Sequence, residues 1–305
     1  MTRNQRSART TGWALGLFAT LCFSVAPPVA SAAIGDGLHP TAILVVRMAL
    51  TAALLVITIA VMDMRLLRTD RRGLQVTLIA GLVNSVGMVA YFWALTRLST
   101  SVSAMLFSVS PLMVLSLLAL RGEPVTRRHG VRLALALGGI YLLIGPSGGV
   151  DLMGLLYIFI ALVAFSLQVV IIQWYLAGYD ARTGTLYMTI GMWLGVTIFW
   201  LFQGAPWSAP TMGGWISILA LAVVSTYLAR LAFFGAIGRI GGAQQAMLTP
   251  LEILLTILWS VLFLGERLTL AQWLGGLLIL GSALLAIERL GSVRRPIRWR
   301  FWARA

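Results

Sequence analysis

Apolar runs of helical length fill this chain almost end to end, at 12–34, 40–62, 73–95, 101–120, 130–145, 152–176, 184–202, 213–235, 243–264 and 269–288. A helix crossing a hydrocarbon layer about 30 Å thick needs about 20 such residues. Ten of these runs in 305 residues leave room for short connections and no large soluble catalytic domain. The connections carry breakers and charge: Gly35-Asp36-Gly37, the Arg65 to Arg72 cluster, Arg121-Gly122-Glu123-Pro124, Gly145 to Gly149, Gly178 to Arg182, Gly204-Ala205-Pro206 and Gly241-Gly242. Only helices satisfy their own backbone at this hydrophobicity, because a barrel would alternate polar and apolar residues. The expected class is therefore an all-α integral membrane protein of ten transmembrane helices. Composition agrees: 10% of residues are charged, against about 25% in ordinary soluble domains, and the mean hydropathy is +0.92.

All 23 basic residues are arginine, and the net charge is +14. That charge does not point to nucleic acid, because the arginines sit in short clusters between apolar runs, where anionic lipid is the expected neighbour. Cys22 is the only cysteine, so there is no intrachain disulfide. His39 and His129 both flank runs, and neither a metal nor another cofactor is expected. Arg3, Arg6 and Arg9 ahead of an apolar core, with Ala30-Ser31-Ala32 behind it, resemble a cleavable signal segment. The run is read as retained, because it is long enough to span and has a counterpart later in the chain.

That counterpart emerges from a nearly constant offset of 142 to 143 residues. Phe23-Ser24 matches Phe165-Ser166; Ala90, Phe92 and Ala94 match Ala232, Phe234 and Ala236; Arg97 matches Arg239; Ala104-Met105 matches Ala246-Met247. With one further residue of offset, Thr126 matches Thr269 and Gly138 matches Gly281. The chain divides into a cytoplasmic segment 1–11, a five-helix repeat 12–146, a second five-helix repeat 147–288 and a basic cytoplasmic tail 289–305. An odd number of spans per repeat inverts the second half. With the amino terminus inside, 19 arginines fall on cytoplasmic segments against two outside, Arg97 and Arg267, with Arg47 and Arg230 within runs. This bias puts both termini in the cytoplasm, and a bacterial inner membrane is the expected location. Inverted repeats mark secondary transporters, whose sites lie near the midplane between the repeats.

The segment Ala94-Leu95-Thr96-Arg97-Leu98-Ser99-Thr100-Ser101-Val102-Ser103-Ala104, followed by Ser110-Pro111 and Gly122-Glu123, resembles the EamA-type drug/metabolite transporters. So does Leu264-Gly265-Glu266-Arg267-Leu268-Thr269 leading into a glycine-dotted last helix. The resemblance runs from Trp13 to Ile287 and appears twice, as tandem EamA domains would. It implies ten helices and the export of small metabolites such as amino acids, or of drugs. One departure stands out: Pro111 is 12 residues before Glu123, whereas Pro250 is 16 before Glu266, so the ninth helix is expected to bend about one turn earlier.

Depth selects the candidate site. Counted from Ala243 at 1.5 Å per residue, Glu252 lies about 14 Å into the layer, close to its middle. An acid there must face a hydrated cavity, pair with a cation or be protonated. Gln245, Thr249, Glu252, Thr256 and Trp259 recur at helical spacing and form one polar and aromatic stripe. Glu252 is the expected proton-coupling site or anchor for a substrate ammonium; the bland alternative is a protonated acid bonded to a neighbouring helix. Arg47 and Arg230 each lie about 10 Å from a membrane surface, so interface anchoring by snorkelling is the expected role of both. For Arg230 a second role stands open, in which, on one face with Tyr227, it pairs with Glu252 or holds a substrate carboxylate.

Pro27 and Pro28 remove two backbone donors and free the carbonyls of Phe23 and Ser24, which lipid does not tolerate, so that face is expected to look into a cavity. Pro27, Pro28, Pro111 and Pro250 are the expected helix breaks. Ser24, its repeat mate Ser166 and Gln168 are then candidate lining residues, beside the alternative of a kink serving packing alone. Asn84 and Tyr91 share a face of the third run, and Tyr91, Trp93, Tyr227 and Phe233 can wall a pocket or serve packing. Glu123 and Glu266 are expected to pair with arginine at helix ends, and Gly138-Gly139 and Gly275-Gly276 to let helices approach closely.

The function expected is export of a small metabolite by alternating access, with small-molecule substrate, membrane lipid, protons and a second copy of the chain as the partners in view. A lipid-carrier flippase or a facilitative uniporter of the same fold stays open. An intramembrane enzyme is the remote alternative, since no His-Glu-x-x-His or paired-acid motif occurs.

Overall fold

A computed structural model describes residues 3–62, 64–67, 69–119, 127–144, 151–175, 181–205, 210–240 and 248–290. Among these residues every regular element is helical. The chain runs through α1 (Arg3–Ser24), α2 (Ala26–Gly35), α3 (Pro40–Met62), a 3₁₀ turn (Met64–Leu67), α4 (Arg71–Ala94), α5 (Thr100–Phe107), α6 (Ser110–Ala119), α7 (Arg127–Ile144), α8 (Leu152–Tyr175), α9 (Ala181–Gln203), α10 (Met212–Leu219), a π-helical stretch (Ala220–Leu228), α11 (Ala229–Ile240), α12 (Thr249–Leu264) and α13 (Leu270–Leu290). Among the described residues six stretches are long and apolar enough to cross a membrane: Thr10–Gly35, Pro40–Val61, Arg71–Ala94, Leu152–Ile172, Arg182–Gln203 and Met212–Phe233. Shorter apolar helices cover Thr100–Val114, Gly130–Leu143, Thr249–Leu264 and Leu270–Ser282. Large apolar side chains such as Ile57, Leu137, Phe202 and Leu277 lie exposed on the outside, as a hydrocarbon solvent allows.

Several expected runs are not uniform helices. Of the segment 1–11, the described residues 3–11 form the opening turns of α1, which runs on without a break to Ser24. The run 101–120 breaks at Ser108-Val109 into α5 and α6. The run 213–235 contains nine residues of π-helix, whose i→i+5 bonding shifts the register of everything after it. In the run 243–264 the described helix begins at Thr249, and residues 241–247 fall outside the described set, as does most of the tail 289–305. The prolines stand where a helix tolerates them, in a first turn whose N–H groups have no intrahelical partner: Pro27 and Pro28 in α2, Pro111 second in α6 and Pro250 second in α12.

Helix α4 packs along α8 and α9, α1 along α11, α3 along α9, and α7 along α13, while α12 lies against α1, α2 and α5. Glycine makes two of these approaches possible. A Cβ on Gly139 would sit 2.6 Å from the Gly275 carbonyl, and one on Gly275 would sit 2.6 Å from the Gly139 carbonyl, so α7 and α13 meet backbone to backbone. At Gly81 on α4 a Cβ would fall 2.3 Å from the Met188 carbonyl of α9. These crossings bring α3, α4, α8, α9, the π stretch and the broken α1–α2 segment around one interior space.

Candidate functional site

The interior space is a cavity of about 240 Å³. Its polar wall carries Arg47 from α3, Asn84 from α4, Ser225 and Thr226 from the π stretch, Arg230 from α11, and Glu252 and Thr256 from α12. Tyr91, Phe107 and Phe165 form a run of tilted and edge-on rings along another side, with centroids 5.3 Å apart at each step. Phe23 closes the cavity near the α1–α2 break and meets Phe233 edge to face at 6.0 Å.

The π stretch organises the cationic wall. Thr226 Oγ1 donates 2.8 Å to the Leu221 carbonyl, five residues back, and accepts 2.8 Å from Nε of Arg47. Arg47 is thereby pinned by Nε, its guanidinium over the Phe92 ring with Cζ 5.9 Å from the centroid, a favourable cation–π geometry. Only 7% of Arg47 is exposed. Neither arginine takes the interface-anchoring position expected from depth: both guanidinium-bearing side chains turn inward and line the cavity. Nη2 of Arg230 approaches the sulfur of Met192 at 3.8 Å, and Nδ2 of Asn84 approaches the same sulfur at 3.5 Å. The Arg230–Glu252 ion pair that the sequence left open does not form, since no described carboxylate lies within 4.0 Å of either guanidinium.

Glu252 lies in the first turn of α12 and Thr256 one turn on, both on the wall. The helix amino terminus carries partial positive charge, which favours an acid there. Thr256 Oγ1 donates 3.1 Å to the Ser24 carbonyl, one of the two acceptors that Pro27 and Pro28 leave without a donor, and also lies 2.9 Å from the Glu252 carbonyl. Trp259 Nε1 donates 3.0 Å to Ser24 Oγ. Glu252, Thr256 and Trp259 thus run along the α1–α2 break, but only the first two border the cavity. Ser24 is fully buried and braces the break instead of lining the space. Thr249 and Pro250 sit at the start of α12 away from the lining, and Gln245 lies outside the described residues.

Four further candidates also lie off the cavity. Tyr227 shares a hydrogen bond with Thr58 and packs by Leu55, Ile59 and Leu186, because the π register turns Thr226 and Arg230 inward and Tyr227 away. Ser166 is buried and its Oγ reaches the Ser110 carbonyl at 3.5 Å. Gln168 donates 2.8 Å to the Met188 sulfur between α8 and α9. Trp93, at the end of α4, meets His39 in the connection before α3 and Tyr157 on α8, not in the cavity.

Glu266 corrects another expectation. Its carboxylate accepts from the backbone N–H of Thr100 at 2.6 Å and of Ser101 at 2.9 Å, capping α5, and no described arginine pairs with it. Glu123 lies outside the described residues. Sequence reading underrated Arg47 and missed Ser225, Thr226 and Met192. Arg47 and Thr51, one turn apart near the middle of a largely apolar helix, were the available signal; no sequence rule announces a π stretch.

Comparison with known proteins gives a consistent result. The model of the EamA-like transporter family matches this chain twice, over residues 10–145 and 152–287. An uncharacterized transporter of Archaeoglobus fulgidus is 24% identical over 211 residues, 67% of this chain and 73% of that protein. An uncharacterized transporter in the cobO 3′ region of a Sinorhizobium species is 42% identical over 67 residues, 22% of this chain and 48% of that protein. A protein of known crystal structure is 19% identical with a TM-score of 0.65, covering 92% of this chain and 99% of its own, which establishes likeness of fold.

Proposed function

Taking as premise that the chain belongs to the EamA-like transporter family, we propose that it is a secondary transporter exporting a small metabolite, an amino acid or related compound or a drug, by alternating access. Family membership and its apolar helices make it a multi-pass membrane protein that handles a small molecule. The observation that carries the finer reading is the convergence of Arg47, Arg230 and Glu252 on one cavity beside the α1–α2 break, the α5–α6 break and the π stretch. Charged side chains within spans are costly unless they serve a pathway or a partner. Irregular backbone at membrane depth survives only where protein or a cavity covers it.

In this proposal ten spans form two inverted five-helix repeats, 12–146 and 147–288, with both termini in the cytoplasm of a bacterial cell. Helix pairing supports it: α1 of the first repeat on α11 and α12 of the second mirrors α8 of the second on α4 and α6 of the first. Sidedness supports it too, since Arg97 with Asp151, and Thr100 with Glu266, join connections assigned to the same extracytoplasmic face. Glu252 is the group through which protons would couple to export.

A metabolite-resistance screen in cells overproducing the chain tests the reading. Growth rescue by the intact protein and loss of rescue in Glu252→Gln at equal expression are expected. A screen with no rescue by any solute class, or a carboxyl terminus found extracytoplasmic, overturns it. Accumulation in vesicles with and without an uncoupler then separates proton antiport from uniport.

A further inference from the structure

We infer that the cavity selects a solute of net negative charge, a small organic acid with two carboxylates held by Arg47 and Arg230; this rests on the transporter reading of the cavity. Charge counting is the starting point. The described wall carries two guanidiniums and one carboxylate, and its remaining lining is neutral and mostly apolar. A buried charge is tolerated only when paired and hydrogen-bonded, and neither guanidinium has a described carboxylate within 4.0 Å.

Both cations keep donors to spare. A guanidinium offers five N–H groups. Arg47 spends Nε on Thr226, and its terminal nitrogens donate to no described group. Arg230 makes one long contact to the Met192 sulfur, a weak acceptor. Fixing Arg47 through Nε while its fork stays free is the arrangement that receives a planar carboxylate on two parallel N–H bonds.

A second observation is independent of the charges. Ser225 borders the same cavity, and its buried hydroxyl has no hydrogen-bond partner among the described residues. Buried polar groups in folded proteins are nearly always satisfied. Ser225 directly precedes Thr226, so this unused hydroxyl lies just behind the strip of wall that carries Arg47, and a turn of its side chain toward an oxygen-rich solute would give it the missing partner.

The balance fixes the class. A zwitterion with one carboxylate pairs one guanidinium and, through its ammonium, Glu252, leaving the second guanidinium bare. Two carboxylates leave none bare. An amino group on the same solute pairs with an ionised Glu252; without one, Glu252 enters protonated. The volume of about 240 Å³ admits a short-chain acid.

The test uses the full chain in detergent micelles, titrated calorimetrically with glutarate, L-glutamate and L-glutamine. The last two have nearly the same shape and differ by one charge, so their ratio reads charge selection without any mutation. We expect glutarate or glutamate to bind at least ten-fold more tightly than glutamine, and the tighter of the two reports whether an ammonium belongs beside Glu252. Arg47→Gln and Arg230→Gln should each collapse the glutamate-to-glutamine ratio toward one, and Ser225→Ala should weaken the preferred acid several-fold. A loss of structure alone would lower affinity for all three together, and melting curves monitor it. Glutamine binding as tightly as both glutarate and glutamate overturns the inference and leaves the transporter reading intact. Failure of all three to bind also overturns it, and the resistance screen, which presumes no solute charge, then decides the transporter reading separately.

Discussion

The hydroxyl of Thr256 on α12 donates a 3.1 Å hydrogen bond to the backbone carbonyl of Ser24, at the break between α1 and α2. Pro28 has no N–H to give that carbonyl, so a side chain from another helix supplies the donor at a depth where water is scarce. Thr256→Val keeps the shape and removes the donor. It should destabilise the protein by about 1–3 kcal/mol, the usual cost of leaving a buried acceptor unsatisfied, while Thr256→Ser should stay near the parent. Thermal melting of the two variants in one detergent measures the difference, and equal melting temperatures would show that the carbonyl finds another partner.

Glu266 ties the end of α12 to the start of α5. Gly265 ends α12 in the left-handed region, with φ of 66°, and that turn carries Glu266 to the N–H groups of Thr100 and Ser101. A carboxylate at a helix amino terminus gains from both the hydrogen bonds and the helix dipole. Glu266→Ala should cost about 1 kcal/mol or more, and Glu266→Gln less, because the amide oxygen can still accept. Gly265→Val should lower stability as well, since a β-branched residue resists positive φ. Urea or thermal unfolding in micelles ranks the three, and a Glu266→Ala variant as stable as the parent would rule out the cap.

Much of this arrangement was legible in the chain because it follows from local chemistry. The apolar runs placed the helices, Pro27-Pro28 implied a freed Ser24 carbonyl, and the spacing of Glu252 and Thr256 put both on one face, where they line the cavity together. What stayed hidden depends on backbone register and on partners distant in sequence. A π stretch at Ala220–Leu228 has no residue signature, yet it decides that Thr226 faces inward and Tyr227 does not. Depth alone put Arg47 within reach of the outer surface, but Thr226, 179 residues away, turns it inward. The Gly-Glu pair at 265–266 was visible as a motif, while its partner at Thr100 was not.

Adjacent glycines give a test with its own control. A Cβ at Gly139 would meet Ile279 Cγ1 at 2.5 Å and the Gly275 carbonyl at 2.6 Å, whereas Gly138 has nothing within 4 Å. Gly139→Ala should therefore force α7 and α13 apart and destabilise by about 1–3 kcal/mol, the cost of overpacking a close contact. Gly138→Ala should be neutral or stabilising by up to about 1 kcal/mol, because alanine restricts the unfolded chain and favours helix. Differential scanning of both variants checks the contrast; a Gly138→Ala variant that melts below Gly139→Ala would contradict the α7–α13 crossing.

Acid sensitivity should include a contribution from Asp151 at the start of α8. The Met153 N–H bonds one carboxylate oxygen at 2.9 Å and Arg97 bonds the other at 3.0 Å, and together they hold this carboxyl below the ordinary aspartate range. A group with a depressed folded-state pKa binds protons more readily when unfolded. Its stabilisation is complete above the unfolded value, about 3.9, and is lost as the pH falls toward the lower folded value. The pair is exposed, with 49% of the Arg97 side chain and 35% of the Asp151 side chain open, so salt should shrink the effect. Asp151→Asn should flatten the fall in melting temperature at the acid end while leaving its alkaline side unchanged, and Arg97→Gln should flatten it partially, since the Met153 bond remains. Melting curves between about pH 3 and pH 7 in low and high salt measure this directly, and an acid limb in Asp151→Asn as steep as in the parent would assign the sensitivity to other carboxylates.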